Sequence, residues 1–317
     1  MINLREDKKA LYIRVGYNGR IRVVIAVLFE RGYTMGRVIL STESGADLPV
    51  DLAGKHAVQV VPMHVIMGGQ DYLDGSLPVK DIYDYYERTK KIPSTTSTNT
   101  HEYHSFFTKI KADYPGCTII HIGYTSKASS SFHNAVLASE DFEDLYLIDA
   151  LNVTGGLAAI VMYAVTLLEK EPTIEPVHLI GEIKKVIPKS RLAFVPGSLE
   201  FLKAGGRVSN IAYLGGLLLR IKPRIELIEG NLVSTKKYRG KIIRVAENLF
   251  RDYLNDYDID RGQLYLQYSI GLDESVKQRM EEIAKENGFK NIIWIEAGAM
   301  ISTHAGPGGL GIAGLEV

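Results

Sequence analysis

Residues 118–142 read TIIHIGYTSKASSSFHNAVLASEDF, and the change of pattern inside this stretch decides the fold. Thr118–Tyr124 is a short, β-rich apolar run. The hydroxyl-rich TSKASSS follows, and then a helical pattern, FHNAVLASEDF. Working outward, the same order recurs. Val38–Leu40 leads into STESGADLP, and Leu145–Asp149 leads through ALNVTGG into LAAIVMYAVTLLEK. Repeated strand–loop–helix units of this length predict a parallel sheet covered by helices. The loops after such strands emerge at the C-terminal edge of the sheet, where open α/β sheets bind their ligands.

The second half reads differently. SLEFLKAGG is a short helix stopped by Gly205–Gly206, and Arg224–Arg239 alternates around Glu-Gly-Asn as a hairpin does. A helix (KIIRVAENLFRDYLND), a strand (LYLQYSI), a helix (ESVKQRMEEIAKENG) and a strand (NIIWIEA) follow. The expected division is a parallel-sheet α/β domain over 35–175 and a smaller α/β domain over 176–317, with Pro172 and Pro176 at the hinge. Residues 1–34 are expected to be an N-terminal extension. The acidic residues of REDKK stand before its apolar run VVIAVLF and no small-residue cleavage site follows, which argues against a signal peptide.

The 37 lysines and arginines balance 37 aspartates and glutamates, so no global field points to nucleic acid or an anionic membrane. The apolar run Leu157–Leu168 falls short of the roughly 20 residues a membrane span needs. The single cysteine, Cys117, cannot form an internal disulfide, which fits a cytoplasmic protein, and its apolar neighbours mark it as core. Gly306, Gly308 and Gly311 satisfy G-x-G-x-x-G formally. The chain ends six residues later, however, leaving no helix to receive a pyrophosphate.

The chemistry lies in the loops STESGAD, STTSTNT, TSKASSS and ALNVTGG. Hydroxyls near helix N-termini either cap those helices or hold an anion, and Asn99 with Glu102 fits a capping box. Several such loops converging on one sheet edge favour an anion. Neutral donors suit one carboxylate better than a polyphosphate, which usually recruits lysine, arginine and Mg²⁺. His101 and His104 have no third ligand nearby in sequence and are expected to be ordinary, with no metal site. His304, in STHAGPGGLG, is suited either to donating to a bound carboxylate or to bracing the turn. Lys203, Arg207, Arg220, Lys222, Arg224, Lys236, Lys237, Arg239 and Lys241 form a local basic excess. It is either solvated surface or a steering patch for an acidic protein partner.

These loops, together with SLEFLKAGGRVSN, LLRIKPRIELIEGNLV, KKYRGK and THAGPGGLG, resemble the DegV family, also called the fatty-acid-binding subunits of bacterial fatty acid kinase. The resemblance covers about residues 36–317. It implies an α/β two-domain fold and a carrier rather than an enzyme, with no catalytic residues and no cofactor. Its ligand would be one long-chain fatty acid, the tail in an apolar tunnel and the carboxylate between the domains. A separate ATP-dependent kinase subunit would then phosphorylate that carboxylate to an acyl phosphate.

Carried over by position, the family's Thr-Ser-Gln-Pro-Ser motif falls on Thr95–Asn99, making Thr95 and Thr96 the implied carboxylate donors, with Ser97 in reserve. The family's Ser-x-x-Ser-Gly-Thr-Tyr loop falls on Ser126–Phe132, so Ser129 takes the place of the carboxylate-binding serine. The Asp-Ser…Gly-Gly loop falls on Asp149-Ala150 and Gly155-Gly156, and the terminal histidine on His304. Arg207 and Arg239 match arginines suited to the head-group side and to docking the kinase. The chain departs from the pattern at Glu43-Ser44 (usually Asp-Ser), at Ser130 (Gly), at Phe132 (Tyr) and in lacking a His-Ala-Asp near Ser269-Ile270-Gly271. A rival from another class is an acyl hydrolase or transferase using Ser129 as nucleophile and His304 as base.

Overall fold

The computed structural model describes residues 11–17, 20–26, 37–208 and 221–317. By internal contacts the chain separates into Met1–Gly36 and Arg37–Val317. Within the first unit, β1 (Leu11–Tyr17) and β2 (Arg20–Ala26) pair antiparallel, Leu11 opposite Ala26. Arg220 of the basic group lies outside the described residues.

In the second unit, β3 (Val38–Glu43), β4 (Gln59–Val61), β8 (Thr118–Gly123) and β9 (Leu145–Asp149) form a parallel sheet in the order β4-β3-β8-β9. All six residues of β8 are buried because helices cover both faces, which explains an apolar run without alternation. On one face, Tyr103 and Phe107 of α3 (Thr100–Asp113) and Ala135 of α4 (Ser131–Ala138) pack on Ile39 and Ile119. Cys117 is buried in the same cluster. On the other face, α5 (Thr154–Lys170) and α6 (Pro176–Val186) cover Leu40, Ile120 and Ile122.

The second sheet runs in the order β12-β11-β10-β15-β13-β14. Its strands are β10 (Ser190–Val195), β11 (Lys222–Ile228), β12 (Asn231–Tyr238), β13 (Gln263–Tyr268), β14 (Asn291–Glu296) and β15 (Leu310–Leu315). Only β13 and β14 pair in parallel. One face is closed by α8 (Ile242–Asp256) and α9 (Glu274–Glu286), which bury Leu249, Phe250 and Met280 against Leu266 and Ile312. The other face meets α5, which touches β10, β13 and β15 as well as β3 and β8. A helix enclosed between two sheets has little solvent face, so eleven of its seventeen residues are buried, with exposure confined to Thr166, Glu169 and Lys170 near its end, and its apolar run is core. Since α6 packs on α5 and β8, the chain passes from the first sheet to the second at residues 187–190.

Two details differ from the sequence reading. STTSTNT does not follow a strand of the parallel sheet. Ser94–Thr96 is itself a strand, β7, in a separate antiparallel sheet ordered β6-β5-β7, with β5 (His64–Met67) and β6 (Gln70–Leu73). The Gly68–Gly69 turn, positive in φ at both residues, makes that hairpin. After it, Asn99 caps α3 in a full capping box with Glu102. Arg224 is not solvated surface. It is 1% exposed, and its guanidinium donates to Glu226 and Asp256 at 2.6 Å each. Lys236 is likewise paired, 2.7 Å from Asp252.

The buried Arg224–Glu226 pair generates a stability prediction. Removing one partner leaves the other charge buried, so Arg224→Ala should lower the unfolding free energy by about 3–5 kcal/mol. Chemical denaturation measures it, and a loss under about 1 kcal/mol would show that the pair is not the support described here.

Candidate functional site

The β3, β8 and β9 strands end on one side, and the loops after them meet β7 and two helices of the second half. These are α7 (Leu199–Gly205) and α10 (Ala299–Ala305). The loops after β8 and β9, with β7, α7 and α10, line a cavity of about 1140 Å³, open mouth included. Thr95, Thr96, Ser97, Ser129, Ser130 and His304 gather their polar atoms on its wall. Phe194, Leu202, Leu232, Met300, Ile301 and Leu310 make much of the rest apolar.

The antiparallel pairing of β7 with β5 sets Thr95 opposite Val65, and Thr95 Oγ1 lies 2.8 Å from His304 Nε2. His304 sits at the end of α10, pressed so close to Gly205 that a Cβ there would fall 2.2 Å from His304 Nδ1. Nδ1 itself is buried with no hydrogen-bond partner. Burial first, and the Arg207 charge second, push the imidazole from its ordinary 6.5 down to about 4. The ring is therefore neutral at pH 7 and carries one N–H. Arg207 borders the cavity and donates to the Gly205 carbonyl oxygen at 2.5 Å.

The second group of hydroxyls surrounds the start of α4. Ser97 Oγ and Ser130 Oγ are 2.8 Å apart, and Asn134 Nδ2 donates to Ser97 Oγ and to the Thr98 carbonyl oxygen. Ser129 Oγ accepts the Ser131 N–H at 3.1 Å, which leaves its own proton free to donate. Beneath this loop the buried Glu43 carboxylate accepts the Tyr103 hydroxyl at 2.6 Å and the Tyr124 N–H. Burial raises its proton affinity, but the His121 ring, whose Nε2 lies 3.8 Å from Glu43 Oε1, together with the Tyr103 and Tyr124 donors, outweighs burial and holds it below the usual carboxylate range. The Tyr103 hydroxyl also meets Ser131 Oγ at 2.8 Å, so the charge at Glu43 fixes the loop through its neighbours.

The remaining sequence-derived residues are placed as follows. Thr96 is exposed at the mouth. Gly155 and Gly156 stand behind the wall rather than on it. A Cβ on Gly155 would lie 2.1 Å from Gln267 Nε2, and one on Gly156 would lie 2.0 Å from Asn152 Oδ1. Arg239 is exposed and away from the cavity lining. His101 is exposed, and His104 lies 3.6 Å from Asp141. Among the described residues no group of three metal-ligating side chains occurs.

Ser130 and Gln267 were not among the residues singled out as donors. Ser130 had a signal, since a serine stands where the pattern has glycine. Gln267 had a fainter one, a polar residue inside the apolar strand LYLQYSI. For the nucleophilic alternative the geometry is poor. Ser129 pairs with a backbone N–H while His304 pairs with Thr95, and no carboxylate orients His304 Nδ1.

Residues 37–316 match the family model described as "Uncharacterised protein, DegV family". A DegV domain-containing protein of Clostridium acetobutylicum is 28% identical over 286 residues, spanning 89% of this chain and 99% of its own length. A protein of Thermotoga maritima named "Fatty acid-binding protein" is 26% identical over 291 residues, 89% of this chain and 98% of that one. Among solved structures, the fold superposes on a DegV family protein from Thermus thermophilus, described for its fatty acid binding, with a TM-score of 0.80. That pair shares 24% identity over 89% of this chain and all of the other. The mixed α/β fold with one parallel sheet and a second sheet is thus the fold of these proteins.

The buried neutral His304 predicts a particular pH dependence. Its folded value lies below its unfolded one, so the unfolded chain binds the extra proton as pH falls. The stability it contributes is complete above about 6.5 and is lost as pH falls toward about 4. Measured against His304→Asn, wild-type unfolding free energy should lose on the order of 3 kcal/mol across that window. Parallel curves for the two proteins would contradict the assignment.

Proposed function

The chain belongs to the DegV family, and from that premise we propose that it binds one long-chain fatty acid and presents its carboxylate to a separate ATP-dependent kinase subunit. The observation that carries the reading is a cavity in which several uncharged hydroxyls gather around a neutral histidine, with Arg207 at its border, and whose other wall is largely apolar. Names given to relatives for fatty acid binding point the same way.

The geometry supplies a division of labour. With the neutral His304 ring protonated at Nε2, that N–H donates to Thr95 Oγ1 across the 2.8 Å contact and turns the Thr95 hydroxyl proton toward a carboxylate oxygen. Ser129 and the Ser97–Ser130 pair supply further neutral donors, with Thr96 and Arg207 at the mouth. A charge-assisted hydrogen bond contributes about 1.5–3 kcal/mol, and each buried methylene of the chain about 0.8 kcal/mol. Because no buried cation neutralises the carboxylate, its oxygen keeps the electron pair that attacks the γ-phosphorus of ATP. The bond to ADP breaks and an acyl phosphate forms, with the phosphoryl-transfer machinery belonging to the partner.

In this reading 35–175 and 176–317 act as two domains with the ligand between them. Gly155 and Gly156 support the wall, while exposed Arg207 and Arg239 meet the kinase. The chain needs no cofactor of its own and works in the cytoplasm as a carrier rather than an enzyme. Among the described residues no helix is long and apolar enough to cross a membrane.

Two experiments test the proposal. Solvent extraction of the denatured protein followed by mass spectrometry should release roughly one long-chain fatty acid per chain, and Thr95→Ala should weaken acyl binding about tenfold or more. An empty extract from lipid-replete cells, with no binding by titration, would overturn it. With a fatty acid kinase subunit and ATP, acyl phosphate trapped as hydroxamate should fall in Arg239→Glu at unchanged acyl affinity. Equal yields in the two proteins would remove Arg239 from the docking surface.

A further inference from the structure

Among the described residues, five buried side-chain polar atoms lack a hydrogen-bond partner: Tyr83 Oη, His121 Nε2, Arg224 Nε, Gln267 Nε2 and His304 Nδ1. Of these residues only Gln267 and His304 line the cavity, and His304 already has a role there. Gln267 stands on β13, 6% exposed, after the buried Leu264, Tyr265 and Leu266. A buried amide left unpaired costs stability, whereas leucine of similar shape at this position would cost none.

The surrounding backbone is built to admit this amide. Its nitrogen occupies the space that a Cβ on Gly155 would need, at 2.1 Å. Its oxygen lies 3.0 Å from where a Cβ on Gly311 would stand. Glycines on α5 and β15 thus clear both ends of one polar side chain that makes no hydrogen bond through its nitrogen. The carboxylate does not require it, since Thr95, Ser97, Ser129 and Ser130 already supply neutral donors on other elements.

Resting on the acyl-binding reading above, we infer that the preferred ligand is a fatty acid bearing a hydroxyl group along its chain, hydrogen-bonded by the Gln267 amide. A hydroxyl is both donor and acceptor, so it satisfies either end of the amide, which a methylene cannot do. Sites built to bond a hydroxyl discriminate strongly against the analogue that lacks it, because the buried partner is then left unpaired.

The test measures the affinity of the delipidated protein for stearic acid and for a series of stearic acids carrying one hydroxyl at successive chain positions. Wild type should bind at least one hydroxylated isomer about tenfold tighter than the plain acid. Gln267→Leu should lose that preference and bind the plain acid at least as well, and Gln267→Met serves should the leucine variant fail to fold. A wild type that binds plain stearic acid with equal or greater affinity than every hydroxylated isomer would overturn the inference and leave the acyl-binding proposal standing. Failure of every acid to bind would overturn both.

Discussion

Thr95 Oγ1 and His304 Nε2 meet at 2.8 Å from positions 209 residues apart, and the site depends on that contact. Each partner is held from a distance. The β5–β7 pairing fixes Thr95 on the small antiparallel sheet. The start of α10 is held by two carboxylates from the first half. Asp47 accepts the Gly298 N–H at 2.9 Å, and Asp74 accepts the Met300 N–H at 3.1 Å. Burial, with Asp74 beside it, pushes the Asp47 carboxyl well above the ordinary range even though the Thr154 hydroxyl donates to it. At the other end of α10, the missing side chain of Gly205 lets the imidazole seat. α10 packs directly on β5 and β7, which brings its histidine to Thr95.

The electrostatics of the site follow from what is left out. A lysine or a charged histidine opposite a buried carboxylate would form an ion pair that is costly to desolvate and costly to break. Here the hydroxyls and His304 at the cavity wall are neutral, while Arg207 borders the cavity from an exposed position. The charge that organises the loop, Glu43, lies behind it and acts through Tyr103, Ser131 and the Tyr124 N–H. Placed there, it orders donors without competing for them.

Much of this was readable from residue patterns. The parallel sheet was legible because strands buried on both faces are continuous apolar runs, and the β11–β12 hairpin because Glu229–Gly230 supplies positive φ at its turn. The capping box at Asn99 was legible because its two partners are three residues apart. Ser94–Thr96 was misread as a loop, because three polar residues carry no apolar pattern and their partner strand lies some thirty residues earlier. Arg224 was misread as surface because its burial is made possible by Asp256, 32 residues away, and by Glu226 on the same strand face. Gly155 and Gly156 were read as ligand contacts. Their place behind Gln267 and Asn152 emerges only when β13 packs across α5.

The measurement that bears most directly on this account is a structure of the protein with a long-chain fatty acid bound. The account predicts a carboxylate oxygen within hydrogen-bonding distance of Thr95 Oγ1, with His304 Nε2 still bonded to Thr95 and the chain running along the Phe194–Leu310 wall. A carboxylate found elsewhere in the cavity, with Thr95 and His304 facing the hydrocarbon tail, would contradict it.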